Sequence, residues 1–130
     1  MNEEVQVIMK HAYTCLSEAE TLSRENWYGG ATNRAYYTIF SAASALLRSK
    51  DLYANTHSGL SHTLNLYFVR TNLLKARMNN LLSQSFGLRQ TVDYDFSHLA
   101  TQEEAERSIE YAKEFLLYTE VYLREQNLLP

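Results

Sequence analysis

The chain has 130 residues, 45% of them hydrophobic, which is enough for one contiguous core and leaves no room for a second domain. Its formal net charge of −3 argues against a bulk electrostatic nucleic-acid binder, and no apolar run approaches the roughly 20 residues of a membrane span. One proline, at the last position, and four glycines leave little to interrupt helices, so the composition predicts a single all-α domain over residues 1–130.

The N-terminus, MNEEVQVIMKHAY, carries acid where a signal peptide needs base, so the expected location is cytoplasmic. Residues 3–24 place Val5, Ile8, Ala12, Cys15, Ala19 and Leu22 at the three-and-four spacing of one helical stripe. Cys15, the only cysteine, cannot form an internal disulfide and falls on that stripe, where a free thiol acts as a small hydrophobe. The first helix is expected to end near Asn26. Gly29 and Gly30 then break the chain, and ATNRAYYTIFSAASALLRSK restarts it.

On this second helix, about 100° per residue puts Tyr36, Ile39, Phe40, Ala43, Leu46 and Leu47 on one side. Arg34, Tyr37, Thr38, Ser41 and Arg48 fall on the other and read as a solvated face. Residues 51–57 form a loop, and Thr56 or Ser58 caps a short third helix carrying Leu60, Leu64, Tyr67 and Phe68. Residues 75–90 make the fourth helix. TQEE at 101–104 fits a capping box, in which the threonine oxygen meets an orphan amide and the glutamate reaches back, and a long fifth helix follows.

The fifth helix has one seam of Ala105, Ile109, Ala112, Leu116, Thr119 and Leu123, and a second of Tyr111, Phe115, Tyr118 and Tyr122. The second either packs deeper in the monomer or, as favoured here, marks a partner surface. Charge is unevenly spread. Residues 31–91 hold seven basic side chains against Asp51 alone, a net +6, between arms of net −3 and −6. Either the arms neutralise this block inside the fold, or it lines an anion-binding groove.

One charge falls on a buried seam. Stepping along Met78, Leu82, Ser85 or Phe86, and Arg89 keeps to the apolar face of the fourth helix, and desolvating an arginine costs several kcal/mol unless it is paired or used. Asp93 lies one turn on, so an Arg89–Asp93 pair that locks the helix end is the structural reading of this position. His57 and His62 are five apart, not the four that zinc helices use, and His11 with Cys15 lacks further ligands nearby, so no metal site is expected. Phosphate loop, nucleophile elbow and dinucleotide fingerprint are all missing from the sequence, and no cofactor is expected.

The runs NRAYYTIFSAASALL, THSG at 56–59 and LRQTVDYD, followed by a long acidic helix, resemble the HEPN (higher eukaryotes and prokaryotes nucleotide-binding) family over about residues 27–122, closest to its small stand-alone prokaryotic members. The resemblance implies an up-and-down antiparallel bundle of about five helices and a homodimer. It also implies RNA or nucleotide binding and a nucleotidyltransferase partner in a toxin and antitoxin pair. Many members are metal-independent ribonucleases whose motif is an arginine followed, four to six residues later, by a histidine. The arginine stabilises charge growing on phosphate, and the histidine, titrating near neutrality, moves the proton of the ribose hydroxyl.

Arg89 matches the motif arginine, and Tyr94 stands five residues on, where histidine is expected. An ordinary tyrosine, with a pKa of about 10, is ionised in only about one molecule per thousand at pH 7, so the resemblance implies a degenerate ribonuclease. Ser41 departs likewise, since close relatives often carry histidine after the AYY segment. The catalytic candidates are Arg89, Tyr94 and Asp93, and His98, nine residues on from Arg89, is an imidazole that could swing back from its loop. Arg34, Tyr37, His57 and Arg89 are the nucleotide- or anion-binding candidates. Tyr94 is also the modification candidate: family partners adenylylate a tyrosine two residues further on, where this chain has Phe96 without a hydroxyl. The alternative reading is a non-catalytic helical interaction protein with a structural Arg89–Asp93 pair.

Overall fold

The computed structural model describes residues 2–130. Five α-helices run α1 Glu3–Arg24, α2 Tyr28–Arg48, α3 His57–Leu64, α4 Arg77–Tyr94 and α5 Gln102–Glu125, with a π-helical turn, Asn65–Val69, continuing α3. The fold is all-α. Ion pairs fix the sense of the packing: Glu4 with Arg48 and Glu18 with Arg34 join α1 to an antiparallel α2. A hydrogen bond donated by Tyr13 to Glu120 and an ion pair of Glu20 with Lys113 likewise set α5 antiparallel to α1.

Helix α2 is the centre of the bundle, packed against α1, α3, α4 and α5. Its alanines at 31, 35, 42, 43 and 45 are buried, which lets neighbouring helices approach closely on several sides. The expected solvated stripe is therefore largely covered. Thr38 is fully buried and Ser41 is 7% exposed, and the Thr38 hydroxyl donates back to the Arg34 carbonyl at 3.0 Å. Small polar side chains can satisfy themselves on their own helix, so periodicity alone does not separate a wet face from a crowded one.

Helix ends also differ from expectation. Gly29 and Gly30 do not break the chain; both lie within α2, and the reversal is made by Asn26 in the left-handed region at φ 66°. Asparagine tolerates that region at helix ends nearly as glycine does. Gly30 serves close approach, since a Cβ there would stand 3.2 Å from Leu22 Cδ1. Thr56 caps α3, accepting from the Gly59 amide at 3.1 Å. Helix α4 begins later and runs four residues further than the pattern implied, so Asp93 and Tyr94 sit on its last turn rather than in a loop.

The second aromatic seam of α5 is mostly internal. Phe115 is fully buried and Tyr122 is 8% exposed, edge-on to Phe68 at 5.7 Å, while Tyr111 and Tyr118 are half-buried. The large apolar side chains of α5 left open are Leu117 and Val121, which line an apolar groove of about 810 Å³ with Leu73 and Leu74. Cys15 is buried as expected, and burial pushes its thiol up from the ordinary value. No helix of the described residues is long and apolar enough to cross a membrane.

The capping box of α5 forms in full, with Glu104 bonded to the Thr101 amide at 2.8 Å and to the His98 ring at 2.8 Å. Burial alone would raise the Glu104 pKa, but the His98 and Thr101 hydrogen bonds outweigh it and hold the carboxyl below its ordinary value. A depressed carboxyl stabilises the fold above its unfolded pKa, about 4.3, and that contribution is lost as pH falls through the folded value. Glu104→Gln is expected to lower the melting temperature at pH 7 and to narrow its gap from the parent as pH drops below about 4. Thermal melts at stepped pH check this; a gap that is constant with pH would contradict it.

Candidate functional site

Four seam residues of α4, Met78, Leu81, Leu82 and Ser85, are buried, and the same face delivers Arg89 one turn later. The Arg89 side chain is 15% exposed and the Asp93 side chain 24% exposed, and Arg89 Nε donates to Asp93 Oδ2 at 3.0 Å. Asn33 of α2 donates to the same oxygen at 2.9 Å. One carboxylate thus ties the end of α4 to α2 and holds the guanidinium by one edge. Beside it, Nη2 donates to the Tyr94 hydroxyl at 3.4 Å, which engages a second of the guanidinium's five N–H groups. Three aromatic rings surround the charge: Arg89 Cζ lies 5.4 Å from the Tyr36 and Tyr37 centroids and 5.6 Å from that of Tyr94.

Arg89 lines a cleft of about 580 Å³ shared with Tyr36, Tyr37, Phe40, Phe86 and the α3 start, where His57 stands. His57 Nδ1 is 3.0 Å from the Tyr36 hydroxyl, and its ring stacks on Phe86 with centroids 3.7 Å apart and planes 10° apart. Burial first, and the Arg89 charge second, hold the imidazole below its usual pKa, so the ring is neutral at pH 7. Tyr36 is 1% exposed, and its burial raises the phenol well above its usual range.

The structure therefore gathers Arg89, Tyr37 and His57 at one cleft, with Asp93 and Tyr94 attached through Arg89. Arg34 stands apart. Its guanidinium is 5.1 Å from the Tyr37 centroid but pairs with Glu18 at 3.5 Å and lines a separate groove against α1. His98 does not return to the cleft, because Glu104 holds its ring. Four of the seven basic side chains of residues 31–91 meet acids of the flanking arms: Arg34–Glu18, Arg48–Glu4, Arg77–Glu114 and Arg89–Asp93. Neutralisation by the arms, rather than a continuous basic groove, accounts for these four.

Asn33, Tyr36 and Phe86 were not among the candidates. Asn33 opens the NRAYY run, so its place beside Arg34 was a usable signal; Tyr36 and Phe86 sit on apolar stripes, where sequence pattern assigns them to the core.

Residues 5–122 match the HEPN domain. The chain belongs to the HEPN domain family. Two proteins of Methanocaldococcus jannaschii, each named "putative toxin", are similar to it. One is 31% identical over 126 residues, 97% of this chain and 86% of the relative; the other is 35% identical over 116 residues, 89% and 86%. A UPF0332 protein of Thermotoga maritima is 34% identical over 97 residues, 72% of this chain and 74% of its own length.

In this HEPN domain the Arg89–Asp93 pair is shielded enough for its loss to be felt. Asp93→Ala strands a largely buried guanidinium and is expected to cost about 2 kcal/mol, between an exposed and a fully buried pair. A double-mutant cycle with Arg89→Met in urea checks this, the double mutant being more stable than the two single losses summed. Additive losses would show that the pair contributes nothing.

Proposed function

We propose that this chain is the toxin-type member of a two-component module, a degenerate metal-independent ribonuclease that binds RNA or a nucleotide and is partnered by a nucleotidyltransferase. The observation that carries the reading is the posture of Arg89. Asp93 and Tyr94 engage Nε and Nη2 of its guanidinium, and Arg89 lines an aromatic cleft of a size suited to a nucleotide. An arginine so held is preorganised for a phosphate oxygen, because its rotamer is fixed before the ligand arrives. The toxin names of two relatives agree with this reading.

The interaction-protein reading draws on the same pair as a purely structural lock, and Arg89 variants separate the two. Arg89→Ala is expected to weaken binding of a labelled single-stranded RNA by about tenfold or more and to reduce the salt slope by about one charge, as fluorescence anisotropy would read. Lower stability with unchanged affinity and salt dependence would favour the structural lock. The reading includes a homodimer, so light scattering on the same sample is expected to give twice the chain mass.

Tyr94 is the acceptor through which the partner acts in this reading. It is 64% exposed at the last residue of α4, and Phe96, 94% exposed, offers no hydroxyl. The partner's metal and base would activate the phenol oxygen to attack the α-phosphorus of ATP, releasing pyrophosphate. Trp27 and Leu99 are exposed too, next to the point where Gly29 in the first turn of α2 lies against Ala100. Co-expression with the nucleotidyltransferase is expected to add one adenylate by intact mass, and Tyr94→Phe to abolish the addition. An adduct that persists in Tyr94→Phe would move the acceptor elsewhere.

A further inference from the structure

The cleft contains an arrangement that the arginine alone does not explain. His57 comes from the start of α3, far in sequence from the arginine motif, yet it shares a wall with Arg89 and is fixed on two sides. Phe86 sets the plane of the ring by parallel stacking at 3.7 Å, and Tyr36 meets Nδ1 at 3.0 Å. The Tyr36 phenol is almost fully buried and its hydroxyl has Nδ1 as its hydrogen-bond partner. A buried hydroxyl must place its proton, and a neutral imidazole nitrogen is a better acceptor than a phenol oxygen. Tyr36 therefore donates, Nδ1 accepts, and the ring proton resides on Nε2.

We propose that the cleft is a phosphoryl seat with two donors, the guanidinium N–H groups of Arg89 from α4 that Asp93 and Tyr94 leave unused and the Nε2–H of His57 from α3, and that Tyr36 and Phe86 are positioning residues that fix the imidazole as a donor. The inference rests on reading Arg89 as a phosphate-binding arginine and deepens it in two respects. It gives His57 a role in holding the anion, since an Nε2 that already bears a proton cannot take one from a ribose hydroxyl. It also names the ligand class: a phosphate monoester or diester bearing a flat ring, with the half-buried rings of Tyr37 and Phe40 lining the remaining wall. Arg34, engaged by Glu18 beyond the cleft, takes no part.

The test begins with the unmodified protein. Long-range proton–nitrogen spectra distinguish the two imidazole tautomers, and His57 is expected as Nε2–H at pH 7. Titration with uridine 3′-monophosphate is expected to move that Nε2–H resonance. By calorimetry, His57→Gln, whose side-chain amide offers a donor in place of Nε2–H, is expected to keep affinity within about threefold. His57→Phe, which preserves the stack without the donor, is expected to lose about tenfold, as is Arg89→Ala. A dominant Nδ1–H tautomer would overturn the inference. So would His57→Phe binding like the parent while Arg89→Ala fails, a result that leaves the Arg89 reading standing. If the parent neither binds the nucleotide nor shows a shift, the Arg89 reading falls together with the seat built on it.

Discussion

Close approach to α2 is the constraint on which the rest of this bundle depends. A helix with buried alanines at 31, 35, 42, 43 and 45 can be enclosed on several sides, so that α1, α4 and α5 all gain packing surface from one element. Its larger side chains, Tyr36, Ile39, Leu46 and Leu47, then fill the spaces between those helices. Enclosure leaves α2 few positions at which a polar group can reach outward. Asn33 and Arg34 are two of them, and both are committed to other helices, Asn33 to Asp93 and Arg34 to Glu18.

The cleft follows from the same geometry. Because α4 lies against α2, the seam that packs Met78 and Leu82 must emerge somewhere, and it emerges at Arg89 beside Tyr36 and Tyr37. A guanidinium is tolerated there because an ionised acceptor one turn away matches its geometry and aromatic faces receive its charge. The electrostatics of the site is thus a local matter of one arginine and its neighbours, not of the net +6 carried by residues 31–91.

Much of this is legible in the sequence. Apolar spacing together with caps and helix-compatible runs located all five helices, the capping box at Thr101 and Glu104 formed as the motif implies, and the seam-facing arginine led to its partner. The parts that sequence did not show have physical reasons. Thr38 looked wet because periodicity counts polarity, whereas a hydroxyl bonded to its own helix, as this one is to the Arg34 carbonyl, can be buried cheaply. Gly29 and Gly30 looked like a break because glycine permits one, yet Asn26 made the turn. The Tyr36–His57 contact joins two elements 21 residues apart and depends on a three-dimensional approach that no local pattern encodes.

The π-helical turn at Asn65–Val69 bears on how readily such a cleft can drift. A turn closed over five residues instead of four carries one residue more than the α-helical repeat, and so offsets the angular phase of the helix on either side of it. Here that offset lets one continuous segment serve two masters: His57 faces the cleft at one end while Phe68 is fully buried against Tyr122 at the other. An unbroken α-helical repeat through this segment would turn Phe68 by roughly 100° relative to His57, so the extra residue sets the phase between the wall of the cleft and the core.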